Sequence, residues 1–103
     1  LTRAGGIMIA KTTAPQLMMS NTTQSALWGM TRCALQSADG GGEFEVGGSS
    51  GGEASLVKLG GSQLGVGTDM GGSVRQPACL KRVVRVQVLP LNRGSGGNCH
   101  GIS

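Results

Sequence analysis

Residues 47–78 read GGSSGGEASLVKLGGSQLGVGTDMGGSVRQPA, and this stretch decides how the chain is understood. It carries two glycine-flanked serines. One group is Gly47-Gly48-Ser49-Ser50-Gly51-Gly52 and the other is Asp69-Met70-Gly71-Gly72-Ser73. Glycine on both sides of a serine removes the Cβ atoms that would block a substrate. It also leaves backbone N–H groups able to point into one shared hole, as the oxyanion of acyl transfer requires. The same composition serves equally for tight or flexible turns without chemistry, so composition alone leaves both readings open. Between the serines, Ser50-Gly51-Gly52-Glu53 fits the S-x-x-E capping box. A short helix over Glu53 to Leu59 follows, with Gly60 placed for a left-handed C-terminal cap. Leu64 to Gly67 reads as a short buried strand in which glycine admits a neighbouring backbone. Asp69 to Gly72 is then a turn that delivers Ser73.

Outward from this block the signals weaken. Upstream, Leu1 to Ala4 reads as the end of a helix stopped by Gly5-Gly6. The apolar run Ile7-Met8-Ile9-Ala10 is expected as a buried strand. Thr12 to Ser25 is expected as loop with a short helical piece, and Ala34 to Val46 as an exposed loop. Downstream, Val84, Val86 and Val88 alternate with Arg85, Gln87 and Leu89 and predict a strand before Pro90. The tail from Asn92 onward reads as irregular. This order of elements favours an α/β fold.

The composition is unusual for an independent domain. Among 103 residues there are 20 glycines, one Trp, one Phe and no Tyr, so a core must be built from aliphatic side chains. Such a chain is expected to fold poorly without neighbours. Its net charge of +4 is concentrated in Lys81, Arg82, Arg85 and Arg93. No nucleic-acid motif or aromatic stacking platform accompanies these charges, so nucleic acid is not the expected partner. Cys33, Cys79 and Cys99 are odd in number and lack zinc spacing, which points to reduced thiols, a cytoplasmic setting and no metal. No stretch reaches the roughly 20 apolar residues of a membrane span.

Other catalytic patterns fail on inspection. No glycine precedes a lysine, so the phosphate-binding loop is absent. Gly65-Val66-Gly67-Thr68-Asp69-Met70 begins like a dinucleotide fingerprint but ends in Met. His100 is the single histidine and lies in the tail. If Ser73 is a nucleophile, its base is therefore expected to be something other than histidine, and Ser–Lys chemistry is one such variant.

The 47–78 block closely resembles the amidase signature segment, and its two serines, Ser49 and Ser73, have that family's separation. Upstream, LTRAGGIMIAKTTAPQLMM resembles the family's helix-then-strand stretch. Pro15-Gln16, Met18-Met19 and Trp28-Gly29-Met30-Thr31 lean toward its fungal acetamidase-like members. The resemblance covers about residues 1–78 and implies part of an α/β fold with a central mixed sheet flanked by helices. It also implies cleavage of a small carboxamide, without cofactor, by a Ser–cisSer–Lys triad. Ser73 matches the acylated nucleophile. Ser49 matches the serine that follows a cis peptide and relays protons. The backbone N–H groups of Met70, Gly71, Gly72 and Ser73 match the oxyanion hole. Ser50, Thr68, Asp69 and Arg75 match supporting positions, while Glu53 stays a helix cap.

The family's lysine lies in a Pro-x-Ser-x-Lys stretch that corresponds to a position before Leu1. Lys11 matches a different family position and Lys58 is expected solvated on the helix after the cap, so this chain by itself is expected to be inactive. The chain also departs from the family pattern at Cys33-Ala34, where Asn-Pro is usual, and residues 34–46 are longer than the usual connection. After Ala78 the glycine-rich continuation is replaced by Cys79-Leu80-Lys81-Arg82-Val83-Val84-Arg85. Residues 79–103 are therefore expected to be a distinct basic tail, through a shifted reading frame or a faulty exon boundary.

Overall fold

A computed structural model describes residues 1–33, 45–81, 86–88 and 99–102, the last two stretches as backbone only. It is a small α/β arrangement with two helices and five short strands among the described residues. Strands β1 (Gln24–Ser25) and β2 (Gly29–Met30) form an antiparallel hairpin, with Gln24 opposite Met30. Helix α1 spans Gly51–Lys58, strand β3 Val66–Asp69 and helix α2 Arg75–Lys81. Strands β4 (Val86–Val88) and β5 (Cys99–Ile102) complete an antiparallel sheet of order β3-β5-β4. In its register Asp69 faces Cys99 and Val66 faces Ile102.

The core lies where α1 packs on α2. Its buried apolar side chains are Val46, Ala54, Val74 and Ala78, and Pro77 is buried beside them. These are small groups, so the helices approach through residues that offer little area. Pro77 stands in the first turn of α2, where a missing N–H costs no helical hydrogen bond.

Several sequence expectations hold. Thr2–Ala4 is a single 3₁₀ turn ended by Gly5 at φ 82°. The short helical piece expected before Ser25 is instead a tight turn at Gln16–Met18, because Leu17 (φ 57°) and Met18 (φ 55°) leave the right-handed helical region. At the end of α1, Gly60 sits at φ 73°. Its N–H donates to Val57 O at 3.0 Å and that of Gly61 to Leu56 O at 2.9 Å. This pair of bonds is a Schellman cap, which satisfies carbonyls the helix cannot. The valine-rich strand before Pro90 is present as β4.

Other expectations are corrected. Ile7 to Ala10 is neither a strand nor buried, since Ile7 and Met8 are each 86% exposed. An apolar run becomes a buried strand only when a neighbour completes its hydrogen-bond ladder, and no described strand pairs with these residues. The strand expected over 64–67 is shifted two residues, so it ends on Asp69. The tail from Asn92 is not wholly irregular, because 99–102 forms β5 between β3 and β4. Helix α2 had no sequence signal, and it runs continuously through Ala78–Cys79. The exposed loop expected over 34–46 lies mostly outside the described residues. At its end Glu45 bridges to Arg32, and Val46 is fully buried rather than exposed.

Candidate active site

The two serine-bearing segments meet at the mouth of the helix pair. Ser49 is buried to 1% exposure, and Ser73 is half-buried at the start of the turn into α2. The Ser50 N–H donates to Ser73 O at 3.0 Å, which ties one segment to the other. Ser49 and Ser73 both line an open cleft of about 450 Å³. Thr68, Asp69, Met70 and Gly71 line it as well, and Leu17 to Asn21 form the facing wall. Of the residues singled out by sequence, Ser50, Gly72 and Arg75 do not line it. The peptide bond between Gly48 and Ser49 is cis.

The path of residues 47–52 depends on close backbone approach. A Cβ on Gly48 would stand 2.6 Å from Ser20 O, and one on Gly52 would stand 2.5 Å from Thr13 O. Only glycine allows the serine segment to lie directly on the 13–22 backbone. Thr23 locks that approach. Its buried hydroxyl donates to Gly47 O at 2.8 Å and accepts from Gly51 N–H at 3.0 Å. Thr23 therefore satisfies one of the free N–H groups at the start of α1.

The capping box is thus corrected. Ser50 is the N-cap residue of α1 but makes no side-chain cap bond. Glu53 turns away to accept from Thr12 Oγ1 at 2.6 Å and from Val66 N–H at 3.2 Å. It binds the upstream segment and β3 to α1 instead of closing the helix end.

Asp69 organises the other serine. Its carboxylate is 1% exposed and accepts from the N–H groups of Gly72 (2.7 Å), Val74 (3.2 Å) and Arg75 (3.0 Å). The Arg75 guanidinium adds two further bonds of 3.0 Å, one to each carboxylate oxygen. This fork geometry is the strong form of the carboxylate–guanidinium pair. The Arg75 guanidinium first, and then the backbone N–H donors, hold the carboxyl far below the usual carboxylate range despite its burial. The result is a rigid turn that fixes Ser73 between β3 and α2. The Gly72 N–H, one of the four expected oxyanion donors, is engaged by Asp69 at 2.7 Å.

Thr68, on the face of β3 toward the cleft, donates from Oγ1 to Met18 Sδ at 3.5 Å. Among the described residues, Lys11, Lys58 and Lys81 all lie away from the cleft. Lys81 is buried and donates to Glu45 O at 3.4 Å. No group of three or more His, Cys, Asp or Glu that could hold a metal ion occurs among the described residues. No helix among them is long and apolar enough to cross a membrane. Sequence reasoning missed Thr23 and the Leu17–Asn21 wall. A buried threonine facing a glycine run leaves no local signature, whereas the glycine run itself hinted that another segment must press against it.

Comparisons with known proteins show the family of this chain. The sequence model of the family described as Amidase matches residues 1–84. "Amidase 1" of Gibberella moniliformis is 44% identical over 78 residues, covering 76% of this chain and 14% of that protein. A "Probable amidase" of Saccharomyces cerevisiae is 47% identical over 74 residues, covering 72% of this chain and 13% of that protein. The "Acetamidase" of Aspergillus oryzae is 34% identical over 87 residues, covering 84% and 15%. The chain thus spans about one-seventh of the length of the curated relatives it matches. No solved structure is matched. With four-fifths of its length matched by one family model, this chain belongs to the amidase signature family.

Proposed function

We propose that this segment carries the nucleophile half of an amide hydrolase, which cleaves a carboxamide through an acyl-enzyme on Ser73. The observation that carries this reading is that Ser49 and Ser73 line one cleft, on segments joined by the Ser50–Ser73 backbone bond. In the reaction, a neutral lysine accepts the Ser49 hydroxyl proton while Ser49 Oγ takes the proton of Ser73 Oγ. Ser73 Oγ attacks the amide carbon, and the carbonyl electrons move onto oxygen. The N–H groups of Met70, Gly71 and Ser73 stabilise that oxyanion. Collapse breaks the C–N bond, and the leaving amine takes a proton back along Ser49 from the lysine. Water, deprotonated along the same path, then releases the carboxylic acid and restores Ser73.

Asp69, Arg75, Thr68 and Ser50 support this geometry without touching the reacting atoms. The lysine belongs to the Pro-x-Ser-x-Lys stretch that the family places before the position of Leu1. Residues 1–78 form the family segment in this reading, and 79–103 a distinct basic tail.

Reaction with an alkyl fluorophosphonate, read by mass spectrometry, tests the proposal. With the lysine-bearing stretch joined to this chain, the adduct is expected on Ser73 and is lost in Ser73→Ala. Ser49→Ala is expected to slow labelling by about 10²–10⁴, the usual worth of positioned proton transfer. An adduct on another serine, or unchanged labelling in Ser49→Ala, would refute the assignment. A second reading follows from the position of Lys11, Lys58 and Lys81 outside the cleft. In it the 103 residues alone have no base for Ser49 and release no ammonia from acetamide. Ammonia release by the chain alone that depends on Ser73 would reject it.

A further inference from the structure

One side-chain bond spans the cleft. The Thr68 hydroxyl, on β3, donates to Met18 Sδ at 3.5 Å and so joins the 17–21 wall to the floor beside Ser49 and Ser73. Met18 stands in a turn whose backbone its own residues disfavour, since Leu17 and Met18 both lie in the left-handed region. Such backbone persists where surrounding contacts hold it. Within the turn, the Met18 N–H donates to Pro15 O at 2.9 Å, and the Met19 N–H makes a longer bond of 3.4 Å to Gln16 O. The side-chain bond between this turn and β3 is one to sulfur.

A thioether sulfur is a weak acceptor, and it is also an atom that a mild oxidant changes. Met18 is 53% exposed, so a small oxidant reaches it from water. Hydrogen peroxide supplies the chemistry without a further partner. A sulfur lone pair attacks one peroxide oxygen, the S–O bond forms and the O–O bond breaks. The departing hydroxide takes the proton of the transferred oxygen, which leaves water and the sulfoxide. Sulfur loses two electrons and peroxide gains them. The product is polar, and its oxygen accepts more strongly than the thioether did. Placed between the two residues, that oxygen makes an O–H···O bond of about 2.7–2.8 Å with the Thr68 hydroxyl. At Met8, Met19, Met30 and Met70 no donor meets the sulfur among the described residues, so oxidation there tightens no existing bond.

We infer that Met18 is a peroxide-responsive modification site, whose oxidation to the sulfoxide tightens the bridge to Thr68 and fixes the 17–21 wall against β3. The modification restricts entry to the cleft that Ser49 and Ser73 share, and methionine sulfoxide reductase reverses it. The bridge and its oxidation need no catalysis, so the site stands apart from the hydrolase reading. A net hydrogen bond shifts an equilibrium by about 2- to 12-fold. Exchanging a weak sulfur acceptor for an oxygen should therefore make opening of the turn about fivefold rarer.

The test is amide hydrogen exchange at Met18 and Met19 in the full chain, before and after hydrogen peroxide, with the sulfoxide at Met18 located by mass spectrometry. Exchange at both amides is expected to slow about fivefold on oxidation and to recover with methionine sulfoxide reductase. Met18→Leu, in which the other methionines oxidise alike, should show no slowing at these two positions. Thr68→Val should lose the response and Thr68→Ser should keep it, which separates loss of the hydroxyl from loss of the fold. Several results would overturn the inference: no oxidation at Met18, amides unprotected from the start, or exchange that is unchanged or faster after peroxide. Slowing that survives in Met18→Leu or Thr68→Val, or is lost in Thr68→Ser, would overturn it as well. In the chain joined to its lysine-bearing stretch, phosphonate labelling of Ser73 should slow about fivefold on oxidation, and labelling that oxidation leaves unchanged would reject the restriction of the cleft. Slowed exchange with no labelling in either state would remove the hydrolase reading and leave the modification site intact.

Discussion

Replacing Asp69 with asparagine tests the physical account of the nucleophile turn. The variant keeps the side-chain shape but removes the charge and presents an NH₂ group where an oxygen now accepts. Five N–H donors converge on this carboxylate, three from backbone and two from Arg75. Asparagine's single oxygen can serve only one side of that set. Each hydrogen bond to a charged group contributes about 1.5–3 kcal/mol, and breaking a buried pair costs about 3–5 kcal/mol, but such terms are not additive. Arg75 keeps half its side chain in water, which places the expected loss near the lower end, at about 3 kcal/mol. With a urea slope of about 1–3 kcal/mol/M, the midpoint should fall by about 1–3 M.

The pH dependence follows from the same group. The folded carboxyl lies below its unfolded value of about 3.9, so its stabilisation is complete well above that value. It shrinks as pH falls below about 4 and is gone once pH passes the folded value. Parent and Asp69→Asn midpoints should therefore differ at pH 7 and converge as the solution is acidified. Urea unfolding followed by circular dichroism measures both. A midpoint change under 0.3 M at pH 7, or a gap that widens in acid, would refute the reasoning.

Other expectations concern the contacts that hold the serine segment. Thr23→Val should cost about 1–3 kcal/mol in thermal unfolding, because it strands the buried Gly47 carbonyl and Gly51 N–H that the hydroxyl bridges. Gly48→Ala should cost about 1–3 kcal/mol or more and displace the 20–22 backbone, visible as changed amide shifts at Ser20 to Thr22. Ser55→Ala should be neutral or stabilising by up to about 1 kcal/mol in the same unfolding assay. Its hydroxyl is buried without a partner among the described residues, so removing it relieves a desolvation cost.

The local chemistry of the chain was legible in its residues. Gly60 after the helical stretch ending at Leu59 announces a left-handed cap, and the cap bonds join residues no more than five positions apart. Asp69 followed by Gly71-Gly72-Ser73 announces a turn, because a short carboxylate can reach the next N–H groups. The paired glycine-flanked serines directed attention to the cleft that Ser49 and Ser73 line.

What tertiary structure decided were the partners of groups whose choices lie far along the chain. Glu53 had the spacing of a helix cap, yet Thr12 and Val66 outbid the helix end because they stand beside it in space. Gly51 N–H found its acceptor in Thr23, 28 residues away. Ile7 to Ala10 has the composition of a strand but no ladder partner among the described strands, so it stays exposed. The left-handed Leu17–Met18 pair is disfavoured by its own residues and coincides with a contact to Thr68, 50 positions onward. The Gly60 cap and the Asp69 turn are determined by sequence alone because their donors and acceptors are covalent near-neighbours. Burial and long-range hydrogen bonds are not, because they depend on which distant segments the fold brings to the same surface.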